Sequence, residues 1–205
     1  MDKSRAIRQL ISLENFEVRV GMRLAAESWD EEWKTLIATI MSAQSRDETT
    51  LVIAEKLFDK FNNLNKLSSA KYSDVLKIFS GLNYNRTKAK NVVNCAKEIV
   101  EQYRGRVPHD FSKLIELSGV GRKTANVFLS EYGHDEIAVD THVFQIARKL
   151  NWSDAKTREG VEKDLRALFP RKFWSKLNPV LVRFGKTHTS RKEKEKILSE
   201  IRETR

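Results

Sequence analysis

Lys123 and Asp140 are the residues whose type and setting could do covalent chemistry. Lys123 follows Leu117-Ser118-Gly119-Val120-Gly121-Arg122, and Asp140 stands in Ala138-Val139-Asp140-Thr141-His142-Val143. A lysine amine that is neutral when it reacts can attack an electrophilic carbon, such as the anomeric carbon of a nucleotide's sugar. Desolvation and the adjacent Arg122 cation would lower its pKa, whereas a nearby carboxylate would raise it. A cation in the first turn of a helix opposes the helix dipole, a mild cost that asks for a reason. Asp140, at the start of a helical segment, suits an N-cap. Held there it stays ionised, so it could also stabilise positive charge developing on a sugar ring, or help take the lysine's proton.

The turn ahead of Lys123 has a chemistry of its own. Gly119 and Gly121, one residue apart, permit positive φ and let another molecule approach the backbone. A helix beginning near Arg122 aims its unpaired N–H groups at that turn, which makes a ready phosphate site. Such a grip reads no bases, because backbone amides meet every sequence alike. The same glycines would also suit a tight corner between packed helices. Spacing alone leaves both readings open.

The elements that must position these groups are helical. Ile7, Leu10 and Ile11 give a short amphipathic start. Trp33, Leu36, Ile37, Ile40 and Met41 recur at helical spacing, with Ser28 or Asp30 placed to cap that helix. Asp47 is placed to cap the next, through Val52, Leu57 and Phe58. A shorter helix covers Asp74 to Phe79, and Gly81-Leu82-Asn83-Tyr84-Asn85 reads as a loop. Ala89, Val92, Val93, Ala96, Ile99, Val100 and Tyr103 form the longest stripe, which Gly105 and Pro108 terminate. Phe111 to Leu117 and Arg122 to Tyr132 flank the glycine turn, and Gly133-His134-Asp135 is a turn. Helices follow at Val143 to Leu150, Val161 to Leu168 and Trp174 to Phe184. A final one over Lys192 to Arg202 carries the narrow stripe Ile197, Leu198 and Ile201. No alternating β-branched run is long enough for a sheet, so the fold class is all-α.

Composition bounds the partners. The chain has 205 residues and a net charge of +10. From Arg148 onward there are 17 Lys and Arg against 8 Asp and Glu, while the first 147 residues are nearly balanced. A field confined to one end suits a polyanion; a solvated Lys/Glu helix surface is the plainer reading. One cysteine, Cys95, excludes an internal disulfide and a thiolate cluster, and points to a reducing, intracellular setting. No run is apolar enough to span a membrane and no signal-peptide core follows the N-terminus, so the expected location is cytoplasmic.

Taken together, Leu-x-Gly-Val-Gly-Arg-Lys-Thr-Ala-Asn-Val and Ala-Val-Asp-Thr-His-Val resemble the signature of the endonuclease III family, within the helix-hairpin-helix DNA glycosylase superfamily. The resemblance extends to Ile40-Met41-Ser42-Ala43-Gln44-Ser45-Arg46-Asp47, and to Gly81-Leu82 with Lys88-Ala89-Lys90-Asn91. It covers the chain from about Trp33 to Phe184. It implies a six-helix barrel lobe over residues 25–135, and a second lobe from residues 1–24 and 136–205, with the active-site cleft between them. It implies an enzyme of base excision repair, a DNA glycosylase and AP lyase acting on damaged, oxidised pyrimidines. The expected partner is double-stranded DNA bearing a damaged base or abasic site, met by a monomer.

Residue by residue, the resemblance makes Lys123 the Schiff-base nucleophile and Asp140 the essential carboxylate. Gly119, Val120 and Gly121, with Arg122 beside them, would cradle the phosphate backbone. Gln44 would fill the gap left by a flipped nucleotide. Leu82 would wedge into the opposite strand, or Tyr84 would do so, because the loop from Gly81 to Lys88 is longer than is usual in the family. The plainer roles are a helix C-terminal polar residue for Gln44 and a core leucine for Leu82. Most relatives in that family carry four cysteines after a segment like Val182-Arg183-Phe184-Gly185-Lys186, where they bind a [4Fe–4S] cluster. Here Thr187-His188-Thr189-Ser190 follows without a cysteine. The expectation is no cofactor and no metal, with Lys186, Arg191, Lys192 and the final helix supplying the lost DNA contact. A glycosylase for mismatched thymine or uracil, and a non-catalytic DNA-binding module, are the alternatives.

Overall fold

The computed structural model describes residues 2–16 and 22–203. Among them run helices α1 (Lys3–Asn15), α2 (Glu32–Ser42), α3 (Asp47–Lys60), α4 (Leu64–Ser68), α5 (Tyr72–Ile78) and α6 (Asn85–Tyr103). There follow α7 (Phe111–Leu114), α8 (Arg122–Glu131), α9 (Thr141–Lys149), α10 (Arg158–Leu168), α11 (Trp174–Thr187) and α12 (Arg191–Glu203). No strand occurs among the described residues, and the fold is all-α. The chain divides into two compact units, Arg23–Glu131 and Met1–Met22 with Tyr132–Arg205. Of the lobe expected from both termini, residues 1, 17–21 and 204–205 lie outside the described residues.

The contiguous unit is built around α2. The expected stripe is buried, but so are Thr35, Ala38 and Thr39, and the helix is enclosed on nearly every side from Trp33 to Met41. The Thr39 hydroxyl donates to the Thr35 carbonyl (2.7 Å), so its burial leaves no unsatisfied donor. Neither Ser28 nor Asp30 caps this helix. Glu31 is the N-cap residue, and the Asp30 carboxylate instead takes the Lys34 ammonium at 2.8 Å, a bond that holds the Asp30 carboxyl below its usual range. Asp47 also does not cap: Arg46 precedes the helix, and Asp47 is its first residue, where a negative charge favours the dipole. Helix α6 packs against α2, α4 and α5 and ends as its sequence dictates. Arg104 and Gly105 turn left-handed, and the Gly105 N–H returns to the Ile99 carbonyl (3.0 Å). Cys95 is wholly buried within α6, and that burial pushes its thiol pKa up.

The other unit gathers α1 and α9 to α12 about one core of Ala6, Leu10, Leu13, Val143, Ile146, Leu165, Leu181 and Phe184. The narrow stripe of α12, Ile197, Leu198 and Ile201, closes that core. Gln9 is fully buried and fully used. Its amide nitrogen donates to the Ile201 carbonyl (3.2 Å), and its oxygen accepts the Trp152 indole N–H (2.7 Å). One side chain of α1 thereby ties the last helix to the loop after α9.

Candidate active site

The hairpin is fixed from three sides. The Asp110 carboxylate accepts the Lys113 N–H (2.9 Å) and starts α7. Leu114, Leu117 and Val120 are buried, so Val120 anchors the turn from beneath and offers only its backbone outward. The Glu98 carboxylate, reaching from α6, accepts both the Ser118 N–H (2.7 Å) and the Ser118 hydroxyl (2.6 Å). Neither Glu98 nor Ser118 stands out in the sequence, because their partnership spans twenty residues and has no local pattern.

The two glycines do different work. Gly119 has φ +82°, and a Cβ on it would lie 2.8 Å from the Asn91 Cβ and 3.1 Å from the Ile40 Cγ2. Conformation and packing both demand glycine there. Gly121 has neither constraint: its φ is not positive, and a Cβ would meet nothing within 4 Å. Packing therefore accounts for the first glycine and leaves the second unconstrained.

Lys123 occupies the first turn of α8 and is half-buried, whereas Thr124, Ala125 and Asn126 after it are buried. The Arg122 guanidinium stacks 4.9 Å over the Phe111 ring, a cation–π contact that holds it beside the turn. Asp140 is the N-cap of α9: its Oδ1 accepts the Val143 N–H at 2.8 Å. The run before it is locked, with Ile137, Ala138 and Val139 buried and the Ala138 carbonyl accepting from the buried Asn178 amide (2.9 Å). Gly185 on α11 completes the support, because a Cβ there would collide with the His142 ring. Asn178 and Gly185 are supports that no local pattern announces. Lys123 belongs to the contiguous unit and Asp140 to the other.

The structure brings Gln44 and the 81–85 segment together. The Asn83 amide donates to the Gln44 carbonyl (2.7 Å), and the Lys88 ammonium to the Ser45 hydroxyl (2.7 Å). Gln44 and Tyr84 are both exposed and both left-handed, each with φ 54°. Leu82 departs from the wedge expectation. It is only 5% exposed and belongs to the core, whereas Tyr84 is 66% exposed. The reason is local: Phe79–Gly81 forms a 3-10 turn whose Phe79 carbonyl takes the Leu82 N–H, and α6 starts immediately after Tyr84. The segment is therefore a 3-10 turn and a helix start, with little true loop. Lys88 is held in a poorly solvated position, and burial pulls its pKa down to about 8.

At the other end of the chain, Lys186 lies half-buried near the end of α11. Lys192 is exposed, and Arg191 pairs with Glu195 at 3.1 Å, the same carboxylate that takes Lys149. His188 is buried between Phe16 and Phe184; its ring meets Glu193 (3.1 Å) and the Phe16 carbonyl (3.4 Å). Residues 187–190 thus form a side-chain-pinned turn. The donor set does not fit a thiolate-ligated cluster, since the one cysteine is buried in α6 of the other unit.

Comparison with known proteins agrees with this geometry. Residues 37–171 match the family described as HhH-GPD superfamily base excision DNA repair protein. The chain belongs to that superfamily, as a DNA glycosylase fold of base excision repair. Within it, endonuclease III of Thermotoga maritima is 36% identical over 157 residues, 76% of this chain and 74% of that protein. Endonuclease III of Bacillus subtilis is 34% identical over 160 residues, 76% and 72% of the two chains. The structure of a trapped endonuclease III–DNA covalent intermediate, an estranged-adenine complex, matches with TM-score 0.84 and 28% identity over 93% of this chain and 89% of that one.

Proposed function

We propose that this base excision repair DNA glycosylase is bifunctional, removing oxidised pyrimidines from duplex DNA and cutting the strand through a lysine Schiff base. The observation that carries the reading is Gly121, a glycine with no conformational or packing need, open to solvent two residues before Lys123. Amides of the turn hold a backbone phosphate, and the target nucleotide is extruded. The Lys123 Nζ, as the free amine, bonds to C1′ while the C1′–N bond breaks and its electron pair leaves with the base, which takes up a proton. Asp140, held at the N-cap of α9, stabilises the positive charge on the sugar. Nζ sheds a proton, the C1′–O4′ bond breaks with a proton going to the ring oxygen, and an iminium results. A C2′ proton is then lost and the C3′–O bond breaks, its electron pair leaving with the phosphate that becomes the 5′ end of the downstream strand. Water then frees Lys123.

Gln44 fills the vacated stack, and Tyr84 is the second wedge. Supporting Tyr84 over Leu82 are the burial of the leucine and the exposure of the tyrosine. Lys186, Arg191 and Lys192 add backbone contacts in place of a cluster-bearing segment, and the enzyme works as a monomer on chromosomal DNA, without iron–sulfur chemistry.

Borohydride trapping on abasic-site duplex tests the mechanism. The wild-type protein is expected to form a covalent adduct and Lys123→Gln none. An adduct with the variant, or its absence from wild type, overturns the lyase assignment. A panel of duplexes with single lesions reads the base preference.

A further inference from the structure

The exposed face of α6 forms one wall of an open groove of about 650 Å³, lined by Arg86, Thr87, Lys90, Asn91 and Asn94, with Tyr72 opposite from the start of α5. Two cations line it and no carboxylate does. Its ends are informative. Asn91 is the side chain that Gly119 of the hairpin packs against, and Arg86 stands two residues beyond Tyr84. The groove therefore adjoins the hairpin at Asn91 and lies, at Arg86, two residues from the exposed Tyr84, all within the contiguous unit.

We propose that this groove is a further binding site, a seat for the sugar–phosphate backbone of duplex DNA between the hairpin and Tyr84. The proposal rests on the DNA-binding reading above and adds residues that it does not use. Arg86 and Lys90, four apart on a helix, share one face and lie about 6 Å apart along its axis. They meet successive phosphates, while Thr87, Asn91 and Asn94 supply neutral donors. The Tyr72 ring and Val93 offer apolar surface to deoxyribose. Contacts of this kind go to phosphate and sugar, which every sequence presents alike, so the binding is independent of sequence.

Duplex binding measured across a range of salt concentrations tests this. Each lost phosphate contact lowers the slope of log K against log salt by about 0.9. Arg86→Gln with Lys90→Gln is expected to flatten the slope by about twice that 0.9 increment, equally for unrelated sequences, with an unchanged melting temperature. Asn94→Lys, which adds a cation to the same wall, is expected to steepen it by about 0.9. Wild type that binds duplex while both variants keep its slope overturns the groove alone. Wild type that does not bind duplex overturns the groove and the DNA-binding reading together.

Discussion

Two turns in this protein join consecutive helices and solve opposite problems. Between α7 and α8, residues 117–121 keep their outer side bare: Val120 and Leu117 point inward, Glu98 holds Ser118, and Gly121 faces open space. Between α11 and α12, residues 187–190 are closed by a side chain, with His188 sunk between two phenylalanines and bonded through both ring nitrogens. The first turn leaves Gly121 exposed, where a phosphate grip of the kind proposed above needs open backbone. The second sinks an imidazole, His188, against Phe16 and Phe184, while Thr189 and Ser190 stay exposed. The two turns differ in what each withholds from packing.

Substitutions can break this contrast, and the largest effect is expected at the hairpin. Gly119→Ala meets both a left-handed φ and the Asn91 side chain, and should cost about 2–4 kcal/mol in denaturant unfolding. Its neighbour should behave differently: Gly121→Ala should stay within about 0.5 kcal/mol of wild type yet weaken duplex binding. Equal stability losses at the two glycines would make the turn a packing corner. His188→Ala should cost about 2–3 kcal/mol, through a lost buried ring and a Phe16 carbonyl left without its partner, and should leave borohydride trapping intact at low temperature. A trapping defect there would show that the second turn also serves the chemistry.

The smallest effect concerns Lys88, which braces the Gln44 segment through Ser45. Its folded pKa, about 8, is below the usual lysine value. Between those values the unfolded chain binds the extra proton, so stability should rise with pH through that window. Lys88→Met should flatten the rise. An unchanged pH profile of unfolding would mean that the ammonium is solvated.

What the sequence made legible was what short-range physics controls. The α6 stripe and its glycine stop, the narrow face of α12 and the Asp140 cap all follow from near neighbours in the sequence. Caps with competing partners were less legible. Asp30 had Lys34 one helical turn away, and an ion pair replaced the cap. Side chains whose partners are distant left no trace: Gln9 with Trp152, Ser118 with Glu98, Gly185 against His142. Leu82 and Tyr84 could not be ranked from spacing, because which of them is buried depends on the 3-10 turn at Phe79–Gly81 and on where α6 begins.

Cys95 carries a last consequence. With its only thiol enclosed in α6 and kept protonated by burial, the protein presents no thiolate to peroxide there. This sulfur is poorly placed for sulfenylation or a mixed disulfide, and neither would act at Cys95 as a brake on this base excision repair enzyme.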